Sequence, residues 1–249
     1  LHRNGALLEA MRDIRTILRT STAHPTECKD LVAAWPDYIG IVDASSHGVG
    51  GVVLGERSGL PPTVFRLQWP REISNALVSF DNPKGSLTNS DLEMAGMLLL
   101  WLCLEGVAPN LAHKHVALLS DNSPSVSWAT KMASKKSRVA AQLVRALALR
   151  LNITRSCPIT PIHIPGIENA LTDIPSRSFG SVPEWHCKSH TDLLTLFNSK
   201  FPLPHQASWT VFQFDSGVIT RVISALQMKG ITLGEWQRLP TIGRHIGQI

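Results

Sequence analysis

Hydrophobic residues recur along the chain at two spacings, one typical of helices and the other of strands. Residues 6–20 place leucine, isoleucine and methionine at intervals of three and four, which predicts an amphipathic helix. Residues 38–56 (YIGIVDASSHGVGGVVLGE) have Ile- and Val-rich runs around a small-residue turn, and residues 62–69 (PTVFRLQW) alternate. They predict three strands, and because the connections between them are short, these strands are antiparallel neighbours.

Helices and strands alternate in the next part of the chain, after a predicted loop at residues 70–87. The predicted elements are an apolar helix from Ser90 to about Glu105, a strand at 115–120, helices at 123–132 and 138–151, a strand at 159–164 and a short helix at 168–177. The two helices in the middle are separated by a basic hinge, ASKKS. This order predicts an α/β fold with a mixed five-stranded sheet, in which three antiparallel strands are followed by parallel strands and helices flank the sheet.

The composition of the chain changes after Phe179, where Pro, His, Trp and Ser become frequent before a final helical segment, DSGVITRVISALQMKG. We therefore predict three parts: a helical segment at 1–35, an α/β domain at 36–179, and a helical extension or linker at 180–249. The first residue is Leu1 rather than Met, which indicates a piece of a longer polypeptide.

Hydropathy and cysteine usage narrow the class of protein. No apolar run reaches the roughly 18 residues of a membrane-spanning helix, so no membrane association is predicted. The four cysteines stand far apart without a C-x-x-C pair, which favours reduced thiols in an intracellular protein. His186, Cys187 and His190 in WHCKSH offer a weaker zinc alternative, because no second ligand pair has the spacing of a zinc site.

Positive charge is concentrated in one region of a chain whose net charge is +5. Residues 113–155 contain eight lysines and arginines against one acid, Asp121. Such an excess is typical of a surface that binds a polyanion, although charge alone is equally compatible with a solvated helix face.

Four carboxylates occupy positions that their surroundings do not explain. Asp43 ends the strand IGIVD, Glu93 lies one turn into the apolar helix, Asp121 ends the strand VALLS, and Asp173 lies in the last helix of the domain. Ligand sites form at the carboxyl ends of strands in sheets of this kind. Asp43 and Asp121 are therefore expected at one edge if their strands are neighbours.

Each of these carboxylates also has a local alternative. Asp121 could cap the following helix, and Ser90 with Glu93 fits the S-x-x-E capping box. Asp43 could hydrogen-bond within its own turn, and Asp173 could stabilise a helix N-terminus. The occurrence of all four acids in this order favours a shared site.

The sequences VDAS, SDLEMAG, LLSDNS and NALTDIPSR, which contain the four acids, resemble the ribonuclease H domain of retroelement reverse transcriptases over about residues 36–178. The similarity is greatest to gypsy-like and DIRS-like elements, whose domain ends in a PGxxNxxAD-x-x-SR signature. Here the chain reads PGIENALTDIPSR, with Thr172 in place of the usual Ala. The segment before it resembles the end of the polymerase and connection region.

This resemblance implies an RNase H-like fold and metal-dependent cleavage of the RNA strand of RNA:DNA hybrids. Hard cations such as Mg²⁺ prefer carboxylate oxygens, and two of them about 3.5–4 Å apart can promote an in-line displacement at phosphorus. The implied cofactor is a pair of Mg²⁺ ions, for which Mn²⁺ can substitute. Asp43 would bind both ions, Glu93 and Asp121 one, and Asp173 the other, leaving a 5′ phosphate and a 3′ hydroxyl.

Substrate contacts are expected from residues near the acids. Ser45, Ser46 and the backbone at Gly48 would contact the RNA strand, and Asn122 and Ser123 its minor groove, where the 2′-hydroxyl distinguishes RNA from DNA. Phosphates of the DNA strand would be bound by the basic residues of the hinge region: Lys131, Lys135, Lys136 and Arg138.

The resemblance further implies the polymerase domain of the same polyprotein as a partner, and an intracellular location in a cytoplasmic particle or the nucleus. Cellular RNases H carry a histidine in the loop before the last aspartate, whereas residues 166–172 have none. His163, on the preceding strand, is expected to be structural.

The main alternative is a catalytically inactive RNase H-like scaffold or nucleic-acid-binding module. Two other nucleases of this fold fit less well: an exonuclease needs Asp-x-Glu where the chain has Asp43-Ala44-Ser45, and a DDE transposase leaves Glu93 without a role. A tyrosine recombinase is excluded because the only tyrosine, Tyr38, lies in the first predicted strand.

Overall fold

The strands form one sheet in the computed structural model, which describes residues 2–23, 25, 28–32, 34–55, 59–180, 182–204, 207–229, 233–239 and 241–246. The strands are β1 (Tyr38–Ala44), β2 (Gly48–Gly55), β3 (Leu60–Gln68), β4 (Val116–Ser120), β5 (Thr160–His163), β6 (Thr210–Phe214) and β7 (Gly243–Ile246). Within the described residues they form a seven-stranded sheet of order β5-β4-β1-β2-β3-β6-β7.

The helices flank this sheet. They are α1 (His2–Ala23), α2 (Arg71–Ser74), α3 (Asn89–Val107), α4 (Ser123–Lys131), α5 (Arg138–Thr154), α6 (Ala170–Arg177), α7 (His190–Lys200), α8 (Ser216–Leu226) and α9 (Leu233–Gln237). Short 3-10 helices lie at Cys28–Leu31 and Gly166–Glu168. None of the helices in the described part of the chain has the length and hydropathy needed to span a bilayer. All four cysteines are free thiols.

The strand directions confirm the predicted mixed sheet. β1 pairs antiparallel with β2, and β2 antiparallel with β3, while β4 and β5 run parallel to β1. With helices on the sheet, this is the RNase H-like α/β fold. β6 runs parallel to β3, so β1, β3, β4, β5 and β6 all end at the same edge. We call this the carboxyl edge.

The region after Phe179, predicted as a helical extension or linker, contains strands as well as helices. It contains helices α7, α8 and α9, but it also adds β6 and β7, so the sheet has two strands more than the five predicted. β6 pairs with β3, whose outer backbone groups would otherwise lack partners. Its sequence TVFQF has the aromatic and β-branched residues typical of a strand.

Two hydrophobic clusters lie on opposite faces of the sheet. On one face, α3 is buried along its length and packs together with α5 and α8 against residues such as Val42 and Val49. On the other face, α6 and α7 cover Ile41, Val52 and Val64. The alternation of Ile41 and Val42 between the clusters follows from the period of two in a strand.

Helix α1 confirms the predicted N-terminal helix, but its apolar residues face solvent. Leu7, Met11, Ile14 and Leu18 are each more than half exposed. Asp13 pairs with Arg145 of α5. This ion pair attaches the helix to α5.

Candidate metal centre

Three carboxylates from separate elements meet at the carboxyl edge. Asp43 lies near the end of β1, Glu93 in the second turn of α3, and Asp121 directly after β4. One carboxylate oxygen from each lies within 4.8 Å of the other two. Asp43 is 4% exposed and Glu93 is 2% exposed, whereas Asp121 is half-buried and opens the group to solvent. The predicted convergence of these three acids is therefore present in the fold.

The N-terminal cap of α3 does not involve Glu93. The capping box is formed two residues earlier, by Thr88 and Asp91: the Asp91 amide donates to the Thr88 side chain, and the Thr88 amide donates to the Asp91 carboxylate. The alternative in which Ser90 and Glu93 form the box is therefore wrong. Glu93 instead accepts a hydrogen bond from the backbone amide of Ala44, at the end of β1.

Local roles for Asp121 and Asp43 are likewise taken by neighbouring residues. Asn122, not Asp121, caps α4, since its side chain accepts from the Ser125 amide at 3.0 Å. The turn between β1 and β2 is closed by Ser45, whose amide donates to the Gly48 carbonyl at 2.8 Å. Neither aspartate takes part in these local motifs, so both carboxylates remain available to the three-acid group.

Burial and mutual repulsion disfavour the charged forms of two of these acids. Burial, together with the charges of Asp121 and Asp173, raises the pKa of Asp43 to about 6, even though a hydrogen bond from the Ser176 hydroxyl and the charge of Arg177 lower it. The pKa of Glu93 lies well above its ordinary value because of burial and the neighbouring charge of Asp43. A divalent cation among them would relieve both costs.

The donor atoms suit a hard cation. Asp43, Glu93 and Asp121 supply carboxylate oxygens only, which is the ligand type that Mg²⁺ and Mn²⁺ prefer. By contrast, His186, Cys187 and His190 form no metal-ligating group in the part of the chain that the structure describes. His186 instead bonds the Gly180 carbonyl through Nδ1, at 3.2 Å.

Asp173 lies beside the three-acid group but outside it. It is in the first turn of α6, where its Oδ1 is 2.8 Å from an Arg177 nitrogen. Burial raises the pKa of Asp173, and its charge in turn raises that of Asp43, so the two carboxylates share one electrostatic environment. The structure therefore brings three of the four predicted acids together and holds the fourth next to them in an ion pair.

The turn that leads into α6 at this edge contains Gly166 and Asn169. A side chain at Gly166 would place its Cβ 3.3 Å from the Asp121 carboxylate. Asn169 is 1% exposed, and its side-chain oxygen accepts from the Thr172 hydroxyl, which also bonds the Asn169 carbonyl at 3.1 Å. Thr172, the departure from the family signature, is therefore accommodated by polar partners in a fully buried position.

The predicted contacts with the RNA strand differ in accessibility. Ser46 is exposed, whereas the Ser45 hydroxyl is engaged within its turn and with the Ser176 carbonyl at 2.8 Å. Gly48 is buried, and a Cβ there would lie 2.7 Å from the Phe179 ring, so packing accounts for this glycine. Ser123 is exposed at the start of α4.

The basic hinge between α4 and α5 is attached to the helix that carries Glu93. Ser137 caps α5, and its hydroxyl also donates to the Asp91 carboxylate in the first turn of α3. All four predicted basic residues of this region are exposed: Lys131, Lys135, Lys136 and Arg138. The basic residues therefore lie on the same side of the sheet as α3, the helix that carries Glu93.

Sequence reasoning did not single out Ser176, which is fully buried and donates to Asp43. Its only signal was the SR pair at the end of the quoted signature. His163 is exposed, and its Nε2 lies 3.1 Å from the Asp121 carbonyl oxygen. Tyr38, the only tyrosine, is 2% exposed.

Comparison with known proteins gives structural similarities only. No protein-family model and no curated protein matches the chain. LC11-RNase H1, isolated from compost by a metagenomic approach, is 17% identical with a TM-score of 0.40, over 56% of this chain and 91% of that chain. RNase H1 from the halophilic archaeon Halobacterium salinarum NRC-1 is 14% identical with a TM-score of 0.38, over 55% and 92%. LC11-RNase H1 in complex with an RNA/DNA hybrid is 15% identical with a TM-score of 0.37, over 55% and 92%.

Proposed function

We propose that this protein is a metal-dependent ribonuclease H, which cleaves the RNA strand of RNA:DNA hybrids as part of a retroelement reverse transcriptase. The observation that carries the proposal is the convergence of Asp43, Glu93 and Asp121, two of them almost fully buried, at the carboxyl edge. No lysine or arginine in the described residues forms an ion pair with these three. Buried carboxylates without cationic side chains are costly unless they bind a metal.

The four acids have separable tasks in this proposal. Two Mg²⁺ ions, when bound, would lower the pKa of the attacking water and stabilise the leaving 3′ oxygen. Asp43, Glu93 and Asp121 would hold them from three rigid elements. Asp173 would contribute the fourth carboxylate after its ion pair with Arg177 opens. Because no side chain acts as the nucleophile, the reaction would involve no covalent enzyme intermediate.

Substrate selection would depend on shape and on the RNA 2′-hydroxyl rather than on base sequence. The exposed hydroxyls of Ser46 and Ser123 lie after β1 and β4, the strands that carry Asp43 and Asp121. Ser45, Gly48 and Asn122 shape these two loops, since their own polar or packing contacts are made within the chain. The polymerase domain as partner, and a cytoplasmic particle or the nucleus as location, rest on the retroelement resemblance.

The decisive experiment is cleavage of a hybrid whose RNA strand carries a 5′ label, in the presence of Mg²⁺. We expect endonucleolytic cuts in the RNA, no cuts in matched RNA:RNA or DNA:DNA duplexes, and loss of cleavage with a chelator. Mn²⁺ should restore activity after chelation, whereas Ca²⁺ should not. Absence of cleavage by protein that is folded by circular dichroism and binds Mn²⁺ would refute the enzyme.

One observation favours the alternative, an inactive module that only binds nucleic acid. Asp173 is engaged by Arg177 at 2.8 Å and lies outside the group formed by the other three acids. A scaffold would bind hybrid in the same assay without cutting it. Binding measured in parallel therefore separates the two functions.

The basic hinge predicts a salt-dependent contribution to hybrid binding. Exchanging Lys135 and Lys136 together for glutamine should reduce the slope of log affinity against log salt by about 2, because each phosphate contact contributes about 1. Fluorescence anisotropy with a labelled hybrid measures this slope. Lys200→Gln is the matched control, since Lys200 is exposed at the end of α7, and the chain that follows it lies near the start of β1. Equal slopes for the double variant and the wild type would show that the hinge does not contact the phosphates of the hybrid.

A further inference from the structure

Ser176 is the buried hydrogen-bond partner of Asp43, one of the three acids of the group. Its side chain is 0% exposed, and its hydroxyl donates to Oδ2 of Asp43, which is 4% exposed. The same hydroxyl lies 3.1 Å from the Asp173 carbonyl oxygen. An ionised carboxylate is a stronger acceptor than a peptide carbonyl, so this hydroxyl donates mainly to Asp43.

The position of Ser176 is fixed by the backbone on which α6 rests. Gly50 of β2 is the register partner of Asp43, and a Cβ at Gly50 would lie 2.4 Å from the Ser176 amide nitrogen. The helix therefore sits directly on the strand next to Asp43. From the turn between β1 and β2, the Ser45 hydroxyl donates to the Ser176 carbonyl at 2.8 Å. Ser176 is thus held from both β2 and the turn.

Asp43 otherwise has few restraints on its carboxylate. Its neighbours in the cluster, Glu93 and Asp121, repel it rather than orient it. A carboxylate that must bind a metal needs one rotamer, and a hydrogen bond to one oxygen selects it while leaving the other oxygen free. The Ser176 hydroxyl is the group placed to do this.

We propose that Ser176 is a positioning residue, which holds the Asp43 carboxylate in its metal-binding orientation; this inference rests on the proposed function. Ser176 does not contact the substrate. It acts through Asp43, in the way that hydrogen-bond partners of metal ligands tune affinity in other metal sites. The hydroxyl therefore matters for the affinity of the metal rather than for the affinity of the hybrid.

The test compares Mn²⁺ binding, by calorimetry or electron paramagnetic resonance, in the wild type and in Ser176→Ala. We expect an affinity loss of about 10- to 100-fold, with the Mg²⁺ concentration for half-maximal cleavage shifted equally and KM for the hybrid unchanged. Ser176→Cys fills the site that the alanine variant leaves empty but donates only weakly, so it should show the same loss and serves as a second variant if the alanine variant folds poorly.

Ser178→Ala is the matched control. Ser178 is also fully buried near the end of α6, but its hydroxyl donates to the Pro175 carbonyl and accepts from Arg66. This variant should lose stability without a change in Mn²⁺ affinity. Wild-type affinity in both Ser176 variants would overturn the positioning role and leave the proposed function intact. A wild type that binds no Mn²⁺ would overturn both the positioning role and the proposed function. If the wild type binds Mn²⁺ but does not cleave the hybrid, the Mn²⁺ affinities of the variants still test the positioning role.

Discussion

Asp43→Asn is expected to reduce hybrid cleavage by at least about 1000-fold while making the metal-free protein more stable. The catalytic loss follows because Asp43 is one of the three acids that converge at the site, and an amide binds Mg²⁺ far more weakly than a carboxylate. Single-turnover cleavage with saturating Mg²⁺ measures the loss. A loss of cleavage together with a gain in stability distinguishes an acid that serves function from one that stabilises the fold.

The gain in stability follows from the raised pKa of Asp43. Burial raises it from 3.8 to about 6, so the folded protein holds this proton more tightly than the unfolded chain. The free energy of unfolding of the metal-free protein should therefore fall as pH rises from 3.8 to about 6, and stay low above that. Asp43→Asn removes this dependence, which should add on the order of 2 kcal/mol at about pH 8. Mg²⁺ should stabilise the wild type but not the variant.

Asp91→Asn provides the matched control for Asp43→Asn. Asp91 is buried like Asp43 and lies two residues before Glu93, but its carboxylate accepts hydrogen bonds from Thr88 and Ser137. Its neutralisation should lower the thermal midpoint and leave cleavage per folded molecule nearly unchanged. If Asp43→Asn destabilises the metal-free protein as Asp91→Asn does, the description of Asp43 as a buried acid whose charge is costly is wrong.

Gly50→Ala should destabilise the protein by about 3 kcal/mol, the upper range for overpacking a core. The added Cβ would lie 2.4 Å from the Ser176 amide nitrogen and 2.6 Å from the Pro175 carbonyl carbon. Because these are backbone atoms, α6 as a whole must move away from β2, which also displaces Asp173 and the hydroxyl that orients Asp43. Urea unfolding measures the loss, and Mn²⁺ binding should weaken in the fraction that remains folded.

Gly96→Ala is the comparison for this substitution. A Cβ at Gly96 would lie 3.0 Å and 3.1 Å from methyl groups of Val42 and Val49. Side-chain methyls can shift slightly, and alanine favours a helix over glycine by up to about 1 kcal/mol, so the net change should be small. Comparable losses for the two variants would show that α6 does not rest on Gly50 as described.

The hydrophobic pattern was sufficient to predict β1 to β5 and the main helices, because each of these elements has a strong local periodicity. Glu93 stood out because a carboxylate in the apolar helix α3 needs a partner. The sequence pattern did not reveal pairings between segments that are far apart in the chain. TVFQF is strand-like, but nothing local indicates that it pairs with β3, some 150 residues earlier.

The details of the acid cluster depended on contacts that motifs do not encode. The capping box could be placed at Ser90 and Glu93 or at Thr88 and Asp91, since both pairs have the required spacing, and only the burial of Glu93 against β1 decides between them. Likewise, the ion pair between Asp173 and Arg177 is an ordinary helical spacing of four, which the ligand interpretation of Asp173 overlooked.

The pairing of β3 with β6 also has a consequence for the order in which the protein is made. All the acids of the cluster precede residue 174, whereas Thr63 to Phe65 find their partners only at Thr210 to Phe212. Contacts so distant in sequence slow folding, because a long loop must close before they form. During synthesis the acids therefore emerge well before the sheet that supports them is complete. Full metal affinity should appear only after the last third of the chain has left the ribosome.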